Sequence, residues 1–274
     1  MRGLIFQMPN DGDPSLGNVT RQPDSQLSLL RLRVGFVYPD TQNQKHIKFR
    51  ARAEDGFDYY CKTDADGRAV RATEWIAQNL ARHLGVAVPE FQVMEHNGET
   101  LFGSREVIST AGIFEVQDFL ARKQLNELGG TADWLGNHLS RLHVLDMFLN
   151  NPDRGNNNFV LESDGLVRKL CAIDFADARL EDITSGRFPV AASNTVCKGK
   201  FRASVHGFSL DTALEMIDDI RDIRASVIDG IIRKMPNDWM VDDQKLQIRE
   251  AWVGNRLEAR LSALRAGLED GPGR

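Results

Sequence analysis

The 274-residue sequence predicts an α+β protein in which a strand-rich part precedes a helical part. Between residues 29 and 108, short apolar runs with partial alternation are separated by turns that contain glycine or asparagine, as is typical of antiparallel strands. From residue 134 onward, most apolar residues recur at helical spacing. The sequence therefore predicts two lobes after a loosely ordered lead-in at residues 1–26: an antiparallel β-rich N-lobe at residues 27–109 and a mostly α-helical C-lobe at residues 110–274.

The N-lobe is predicted to contain five strands and one helix. The strands are expected at residues 29–37, 46–53, 57–63, 91–95 and 100–108. Glu54-Asp55-Gly56 and Asn97-Gly98 are turn signals between neighbouring strands. The helix is expected at residues 69–84, because its apolar residues follow helical spacing and Gly85 is a typical stop.

The C-lobe is predicted to be helical apart from one hairpin. Helices are expected at residues 134–149, 210–235 and 241–268, with a break at Pro236 between the last two. The hairpin is formed by short strands at residues 159–161 and 167–173. Residues 181–207 look irregular, and no internal repeat is present.

Composition excludes several functional classes. The net charge of −5 gives no overall attraction to nucleic acid or to an anionic membrane, so neither is expected as a partner. No apolar run approaches the roughly 18–20 residues of a spanning helix, and the first residues lack the apolar stretch of a signal peptide. The three cysteines have no metal-ligand spacing and are expected to be reduced thiols. A cytoplasmic location is therefore expected by elimination.

The polar run from Asn150 to Asn158 is the first candidate site. It contains Asp153 and Asn158, five residues apart, after a helix and before a strand. Phosphoryl transfer requires a carboxylate that orients the attacking hydroxyl and oxygen ligands for Mg²⁺. Asp153 suits the first task, the amide oxygen of Asn158 suits the second, and Arg154 could hold the loop or neutralise phosphate charge. A plain turn explains an asparagine-rich loop equally well, since asparagine tolerates left-handed backbone.

Asp174 is the second candidate, at the end of the apolar strand that completes the hairpin. A carboxylate there is costly unless something pairs with it, and a metal ion would do so. An isolated Asp at this position more often caps a turn. The combined order, however, is a loop Asp, an Asn five residues later, a short hairpin and a strand that ends in Asp. This is the order of the catalytic segment of protein kinases.

Lys62 and Glu74 are the third candidate, in the N-lobe. Lys62 ends an apolar strand and Glu74 lies on the following helix. A strand lysine that contacts nucleotide phosphates and is held by a helix glutamate accompanies this catalytic segment. No glycine-rich G-x-G-x-x-G loop and no Walker motif is present, so Gly56 and its neighbouring amides are the remaining candidate for phosphate contact, although Glu54 and Asp55 would repel phosphate.

At these residues the sequence resembles the HipA-like kinase family, especially its short bacterial members. The resemblance covers roughly residues 28–265, and its most specific part is the Asn-x-Pro-Asp-Arg-x-x-x-Asn run that begins at Asn150. It also includes Tyr60-Cys61-Lys62, the run from Leu84 to Pro89, and Pro236-Asn237-Asp238-Trp239.

The resemblance implies a two-lobed protein-kinase-like fold with ATP and Mg²⁺ between the lobes. The resemblance also implies a role for each candidate residue. Lys62 would contact phosphate, Glu74 would hold Lys62, Asp153 would be the catalytic carboxylate, Asn158 and Asp174 would bind the metal, and the strand end at Arg105, Glu106 and Val107 would contact adenine. Full-length toxins of this family are longer, so an antitoxin-like partner is possible here but not supported by the sequence.

The leading functional hypothesis is an ATP- and Mg²⁺-dependent kinase that phosphorylates Ser or Thr of a protein. Lipid or small-molecule hydroxyls are close rivals, since the catalytic loop is shared by enzymes with different acceptors. A nucleotide-binding pseudokinase or scaffold remains an alternative, because the sequence lacks the glycine-rich loop that normally contacts the phosphates. Nucleotidyl transfer on the same fold also remains open.

Overall fold

A computed structural model describes residues 31–39, 47–107, 112–125, 129, 132–163, 168–187, 196, 199, 204–254 and 256–270. The predicted lead-in at residues 1–26 and one cysteine, Cys197, lie outside these ranges. Within the described residues the protein is α+β, as predicted, with five strands before residue 106 and mainly helices after it.

The five N-terminal strands form a closed barrel in the order β1-β2-β3-β5-β4. The strands are β1 (Leu32–Val37), β2 (Ile47–Ala53), β3 (Asp58–Lys62), β4 (Phe91–His96) and β5 (Glu99–Arg105). Four pairings are antiparallel, and β1 closes the barrel by pairing in parallel with β4. The antiparallel pairs β2–β3 and β4–β5 follow from the turn signals. The closure was not predicted, because it joins strands that are distant in sequence.

Helix α1 (Val70–His83) connects β3 to β4 and ends where the sequence predicts. Gly85 adopts a φ of 71°, in the left-handed region that glycine enters without steric cost. Its N–H donates to Arg82 O at 3.2 Å, and the N–H of Val86 donates to Ala81 O at 2.8 Å. This pair of bonds is a Schellman motif, which satisfies the last carbonyls of the helix and turns the chain toward β4.

The second part of the chain is mainly helical. Its elements are α2 (Ile113–Ala121), α3 (Asp133–Phe148), the hairpin β6 (Phe159–Ser163) and β7 (Arg168–Ala172), α4 (Leu210–Arg221), α5 (Ala225–Lys234), α6 (Asp242–Val253) and α7 (Glu258–Asp270). Short 3₁₀ helices lie at Leu180–Thr184 and Asn237–Trp239. The first of these and α2 were not predicted.

The two long helices predicted at residues 210–235 and 241–268 are each two helices. The first breaks between Arg221 and Ala225, where Arg224 has an extended φ of −69° and ψ of 140°. Buried Ile220, Ile223 and Ile228 continue the helical spacing across this break, so the apolar pattern does not reveal it. The second breaks after Gly254, whose N–H donates to Glu250 O at 2.8 Å and ends α6.

One large apolar core runs from α1 and the outer face of the barrel to the C-terminal helices, and a smaller one fills the barrel. The smaller core contains Ala51, Tyr59, Cys61, Met94 and Leu101. Cys61 and Cys171 are buried free thiols, as predicted, and burial raises their pKa to about 12 and about 11. Among the described residues, no helix is both long and apolar enough to cross a membrane.

Candidate active site

Lys62, at the end of β3, joins two carboxylates from distant parts of the chain. Its Nζ donates to Glu74 Oε1 at 2.5 Å and to Asp174 Oδ1 at 2.8 Å. Lys62 is 6% exposed and Glu74 is fully buried, whereas the Asp174 side chain is 36% exposed. The fold therefore brings together three of the predicted site residues, one of them 112 residues away from the lysine.

Glu74 is held by groups from three directions. Oε1 accepts from Lys62 and from the backbone N–H of Phe175 at 3.1 Å, and Oε2 accepts from Gln78 Nε2 at 2.8 Å. Phe175 directly follows Asp174, so Glu74 also fixes the backbone beside the predicted metal ligand. A buried carboxylate is stable only with such partners.

The ammonium of Lys62 is kept charged by its neighbours. Burial alone lowers the pKa of Lys62, but the charges of Glu74 and Asp174 and their hydrogen bonds outweigh it and raise the pKa above its ordinary value. The side chain therefore presents a fixed positive charge where β3, α1 and the segment that follows β7 meet.

The loop after α3 is held from within by Arg154. The guanidinium is 2% exposed, and its Nε and Nη2 donate to the two oxygens of Asp146 at 2.8 and 3.0 Å. Nη1 donates to Asn158 O at 3.0 Å and also to the carbonyl of Ile173. Arg154 thus ties the loop to the residue before Asp174. Two roles were predicted for Arg154, holding the loop and neutralising phosphate charge. This geometry supports the first.

Asp146 is a site residue that sequence reasoning missed. It is 1% exposed and also accepts from Asn151 Nδ2 at 2.9 Å. The signal was present in the sequence, because Asp146 lies four residues after Leu142 and seven after Leu139, on the buried face of α3. A carboxylate on that face requires a cation, and Arg154 is the nearest one that follows in the chain.

Asp153 and Asn158 occupy the outer side of the same loop. The side chain of Asp153 is exposed, and its carbonyl accepts from Gly155 N and from Asn158 Nδ2, both at 2.7 Å. Since the amide nitrogen of Asn158 bonds within the loop, its Oδ1 is the atom suited to a cation. Asp153 and Asn158 are therefore joined directly by a hydrogen bond, as residues of one site should be.

Asp174 has an unusual backbone conformation. Its φ is 58°, in the left-handed region that non-glycine residues rarely adopt. Asp and Asn enter this region more easily than other residues with a Cβ. The conformation lets the chain leave β7 with the carboxylate on Lys62 and the next N–H on Glu74.

Gly56 lies away from this cluster. In the β2–β3 register, Lys62 pairs with Ile47 and Asp58 pairs with Arg52. Gly56 lies beyond the Asp58 end of β3, and that end is itself about 13 Å of strand from Lys62 at ~3.3 Å per residue. The β2 residue beside Lys62 is Ile47, the first of its strand, and residues 40–46 lie outside the described ones. The register therefore argues against the predicted phosphate contact of Gly56.

Glu106 and Val107 follow β5 at the predicted adenine-contacting segment. The carboxylate of Glu106 accepts from Tyr60 Oη at 3.0 Å and from Arg50 Nε at 3.1 Å. Its N–H donates to Asp58 O at 2.7 Å. Because both its carboxylate and its N–H have partners, Glu106 would contact adenine through its backbone carbonyl. Val107 is half-buried, and the residues that directly follow it are not described.

A cavity of about 830 Å³ adjoins the loop after α3. Its walls include Pro152, next to Asp153, and Asp177, three residues after Asp174. Arg68 crosses one wall, where it pairs with Asp177 and donates to Ala176 O at 2.7 Å. The remaining walls come from α1, the 3₁₀ helix at 180–184 and α6.

The oxygen ligands fit a kinase-type magnesium site. Among the described residues, no three or more His, Cys, Asp or Glu side chains cluster as a self-sufficient metal centre. Mg²⁺ at nucleotide sites is held by one or two protein oxygens together with substrate phosphates. One amide and one carboxylate, Asn158 and Asp174, are the donors that such a site needs.

Comparison with solved structures finds similar chains at low sequence identity, and this chain shares the fold of the first one described here. The proinflammatory kinase CtkA of Helicobacter pylori has 13% identity over 87% of this chain and 98% of its own, with a TM-score of 0.55. HipA of Shewanella oneidensis MR-1, solved with HipB and operator DNA, has 11% identity over 92% and 74%, with a TM-score of 0.44. An aminoglycoside phosphotransferase from Alicyclobacillus acidocaldarius has 13% identity over 86% and 93%, with a TM-score of 0.24.

Comparison with curated protein sequences gives no significant match. The family model described as HipA-like kinase matches residues 37–267, which confirms the resemblance seen in the sequence. Because this match spans most of the chain, the protein belongs to the HipA-like kinase family.

Proposed function

We propose that the protein is an ATP- and Mg²⁺-dependent kinase that transfers the γ-phosphoryl group to Ser or Thr of a protein. Family membership supports a phosphotransferase, and the kinase family implies ATP and a divalent metal. The proposal of ATP- and Mg²⁺-dependent phosphoryl transfer rests mainly on one observation: the buried Lys62 bridges Glu74 and Asp174. A lysine of β3 paired with a helix glutamate is the arrangement that positions nucleotide phosphates in protein kinases.

Each residue then has a task that its position allows. The barrel with α1 would act as the N-lobe and the remaining helices as the C-lobe, with ATP between them. Lys62 would bind phosphate oxygens, and Glu74 would keep its ammonium in place. Asp153 would accept a hydrogen bond from the acceptor hydroxyl and orient it for attack. When bound through Asn158 and Asp174, Mg²⁺ would neutralise charge on the phosphates.

The cavity beside Pro152 supports an acceptor that enters next to Asp153. Its volume of about 830 Å³ is within the usual range for ligand pockets, roughly 300–1,000 Å³. Polar side chains such as Thr73, Gln244 and Gln247 line it together with apolar Ile248. Such a mixture suits a segment of protein chain that carries a hydroxyl.

The test is transfer from ATP labelled separately at the α and γ phosphates, with Mg²⁺ present and with casein and the protein itself as acceptors. Wild type is expected to transfer γ label and no α label. Asp153→Asn keeps the size of the side chain but replaces the carboxylate with a neutral amide that cannot take up the hydroxyl proton, so it should abolish transfer while nucleotide still binds. Transfer of α label would indicate a nucleotidyl transferase, and binding without transfer would favour a scaffold. Absence of ATP binding would refute the proposal.

A further inference from the structure

Helix α1 determines whether Glu74 reaches Lys62, since the glutamate lies in the middle of this helix. Lys62 itself is fixed by strand pairing on both sides, to Ile47 and to Phe102. A shift of α1 would therefore separate the ion pair without disturbing β3. The contacts that hold α1 from outside are important for the site.

Arg71 anchors α1 one turn before Glu74. It is 9% exposed, and its guanidinium donates to Asp64 Oδ2 at 2.7 Å, to Thr100 O at 2.8 Å and to Asp238 Oδ2 at 3.0 Å. Asp64 precedes the helix and Thr100 lies on β5, but Asp238 belongs to the 3₁₀ helix between α5 and α6. The guanidinium therefore connects α1 to a segment 167 residues away.

Trp239 strengthens the same connection. Its ring is 1% exposed, and Nε1 donates to Thr100 Oγ1 at 2.8 Å. The hydroxyl of Thr100 in turn lies 3.2 Å from Asp238 Oδ2. A buried indole N–H needs an acceptor, so this bond fixes Trp239 against the strand beside α1.

Trp75, which directly follows Glu74, makes a second connection. Nε1 donates to Ile231 O at 2.9 Å, near the end of α5. The ring packs edge-to-face on Trp239, with centroids 6.2 Å apart, and on Phe91 at 5.5 Å. Residues 231–239 thus contact α1 at Arg71, three residues before Glu74, and at Trp75, immediately after it.

We propose that residues 231–239 hold α1 in the position where Glu74 reaches Lys62, which makes Arg71, Asp238 and Trp239 positioning residues for the phosphate-binding lysine. The proposal rests on the proposed function. It implies that the helical C-terminal part of the same chain keeps α1 in place. These contacts affect the site only through Glu74, and none of them is with a reacting group.

Two substitutions remove the same hydrogen bond from opposite sides. Trp239→Phe keeps an aromatic ring but loses the N–H, and Thr100→Val keeps the β-branched shape but loses the hydroxyl. Trp252→Phe is the matched control, because Trp252 donates to Ile220 O at 3.4 Å and packs on Phe148, away from α1.

Two measurements report on the site. Calorimetry gives the affinity for Mg²⁺-ATP. Acetylation by N-hydroxysuccinimide acetate in the absence of nucleotide, followed by mass spectrometry, gives the accessibility of Lys62. Lys169, whose side chain is 53% exposed, serves as the internal reference. Circular dichroism verifies that each variant is folded.

Trp239→Phe and Thr100→Val are each expected to weaken Mg²⁺-ATP binding roughly 2- to 30-fold, the range found for residues that act through a coupled network. Both should also accelerate acetylation of Lys62 relative to Lys169, whereas Trp252→Phe should change neither measurement. In a Glu74→Gln background, neither substitution should weaken binding further, because the interaction they support is already lost.

Unchanged acetylation of Lys62 and unchanged affinity in folded variants would overturn the positioning role. Losses that add to that of Glu74→Gln would also overturn it, since they would show a route other than Glu74. If wild type fails to bind Mg²⁺-ATP, the proposed function falls, and acetylation of Lys62 alone decides whether residues 231–239 hold α1.

Discussion

Asp146 and Arg154 form an ion pair whose side chains are 1% and 2% exposed. Burying both charges costs desolvation energy, which two hydrogen bonds between them and one from Asn151 offset. Asp146→Asn would leave the guanidinium buried without a compensating charge. We expect this change to lower the free energy of unfolding by about 3–5 kcal/mol, as is typical when one partner of a buried pair is removed.

Urea denaturation at pH 7 measures this loss. Asp219→Asn is the control, because Asp219 pairs with Arg141 at 2.6 Å but is 50% exposed. An exposed pair contributes at most about 1 kcal/mol. Equal losses in the two variants would show that the buried pair has no special role in holding the loop.

His138 gives the protein a dependence of stability on pH. Burial lowers its pKa to about 4, against the opposing effect of a hydrogen bond with the backbone of Leu170. Nε2 is buried and has no hydrogen-bond partner among the described residues. The pKa of an unfolded histidine is about 6.5, so between these values the unfolded chain binds more protons than the folded one. Stability therefore falls as the pH drops from about 6.5 to about 4.

When the pH is lowered from 7 to 5, proton binding to His138 in the unfolded chain should lower the free energy of unfolding by about 1–2 kcal/mol. Urea denaturation at the two pH values measures the total change. His138→Gln lacks the titrating ring, so its stability should change less over the same interval, by about this amount. An identical pH dependence in wild type and variant would contradict the lowered pKa.

At the scale of elements, α3 packs directly on backbone at Gly136. A Cβ built at this position would lie 2.3 Å from Gly207 O and 2.4 Å from His206 O. Carbonyl oxygens cannot rotate away as a side-chain end can, so Gly136→Ala must push α3 off the segment at 206–207. Overpacking of this kind costs about 1–3 kcal/mol.

Gly230 in α5 is the matched control, because a Cβ there meets nothing within 4 Å. Gly230→Ala should stabilise the protein by about 0.5–1 kcal/mol, since alanine loses less conformational freedom in a helix. The melting temperature should therefore fall for Gly136→Ala and rise for Gly230→Ala. A rise in both would mean that the approach of α3 to residues 206–207 is not close.

The strands and α1 were predictable because their signals are local. Gly85 predicts the end of α1 through a conformation that one residue adopts, and Asn97-Gly98 predicts the turn between β4 and β5 in the same way. The division of residues 210–235 into α4 and α5 was not predictable, because Ile220, Ile223 and Ile228 keep helical spacing through the break. There the tertiary core, rather than local preference, decides where the helix ends.

At the scale of the whole molecule, the order of residues in the sequence predicted that Lys62, Glu74 and Asp174 lie together, but not the more distant contacts that hold this cluster in place. Lys62, Glu74 and Asp174 were predicted from their order in the chain, and the structure places them within hydrogen-bond distance. Asp146 and Trp239 were not assigned such roles. The partner of Asp146 is only 8 residues away and could have been found from helical spacing, whereas the partner of Trp239 is 139 residues away and depends on packing that sequence order does not encode. The predicted contact of Gly56 with phosphate stays a prediction that strand register does not support, because Gly56 lies beyond the Asp58 end of β3 and Lys62 lies at the other end.

The candidate site draws groups from β3, α1, the loop after α3 and the end of β7, so a ligand that contacts them all should stabilise the whole fold. Under the proposed function, Mg²⁺-ATP at 100 times its Kd adds about 2.7 kcal/mol to the free energy of unfolding. For a domain of this size that corresponds to a rise in melting temperature of roughly 5–10 °C. Scanning calorimetry with and without Mg²⁺-ATP measures the rise.

Lys62→Met should reduce the rise because it removes a phosphate-binding charge. Asp174→Asn should remove the part that depends on Mg²⁺, and it is preferable to alanine because Asn tolerates the φ of 58° at this position. ATP with a chelator in place of Mg²⁺ should stabilise wild type less than Mg²⁺-ATP does. If Lys62→Met shows the full rise of wild type, nucleotide binds elsewhere, and the cluster around Lys62 is structural.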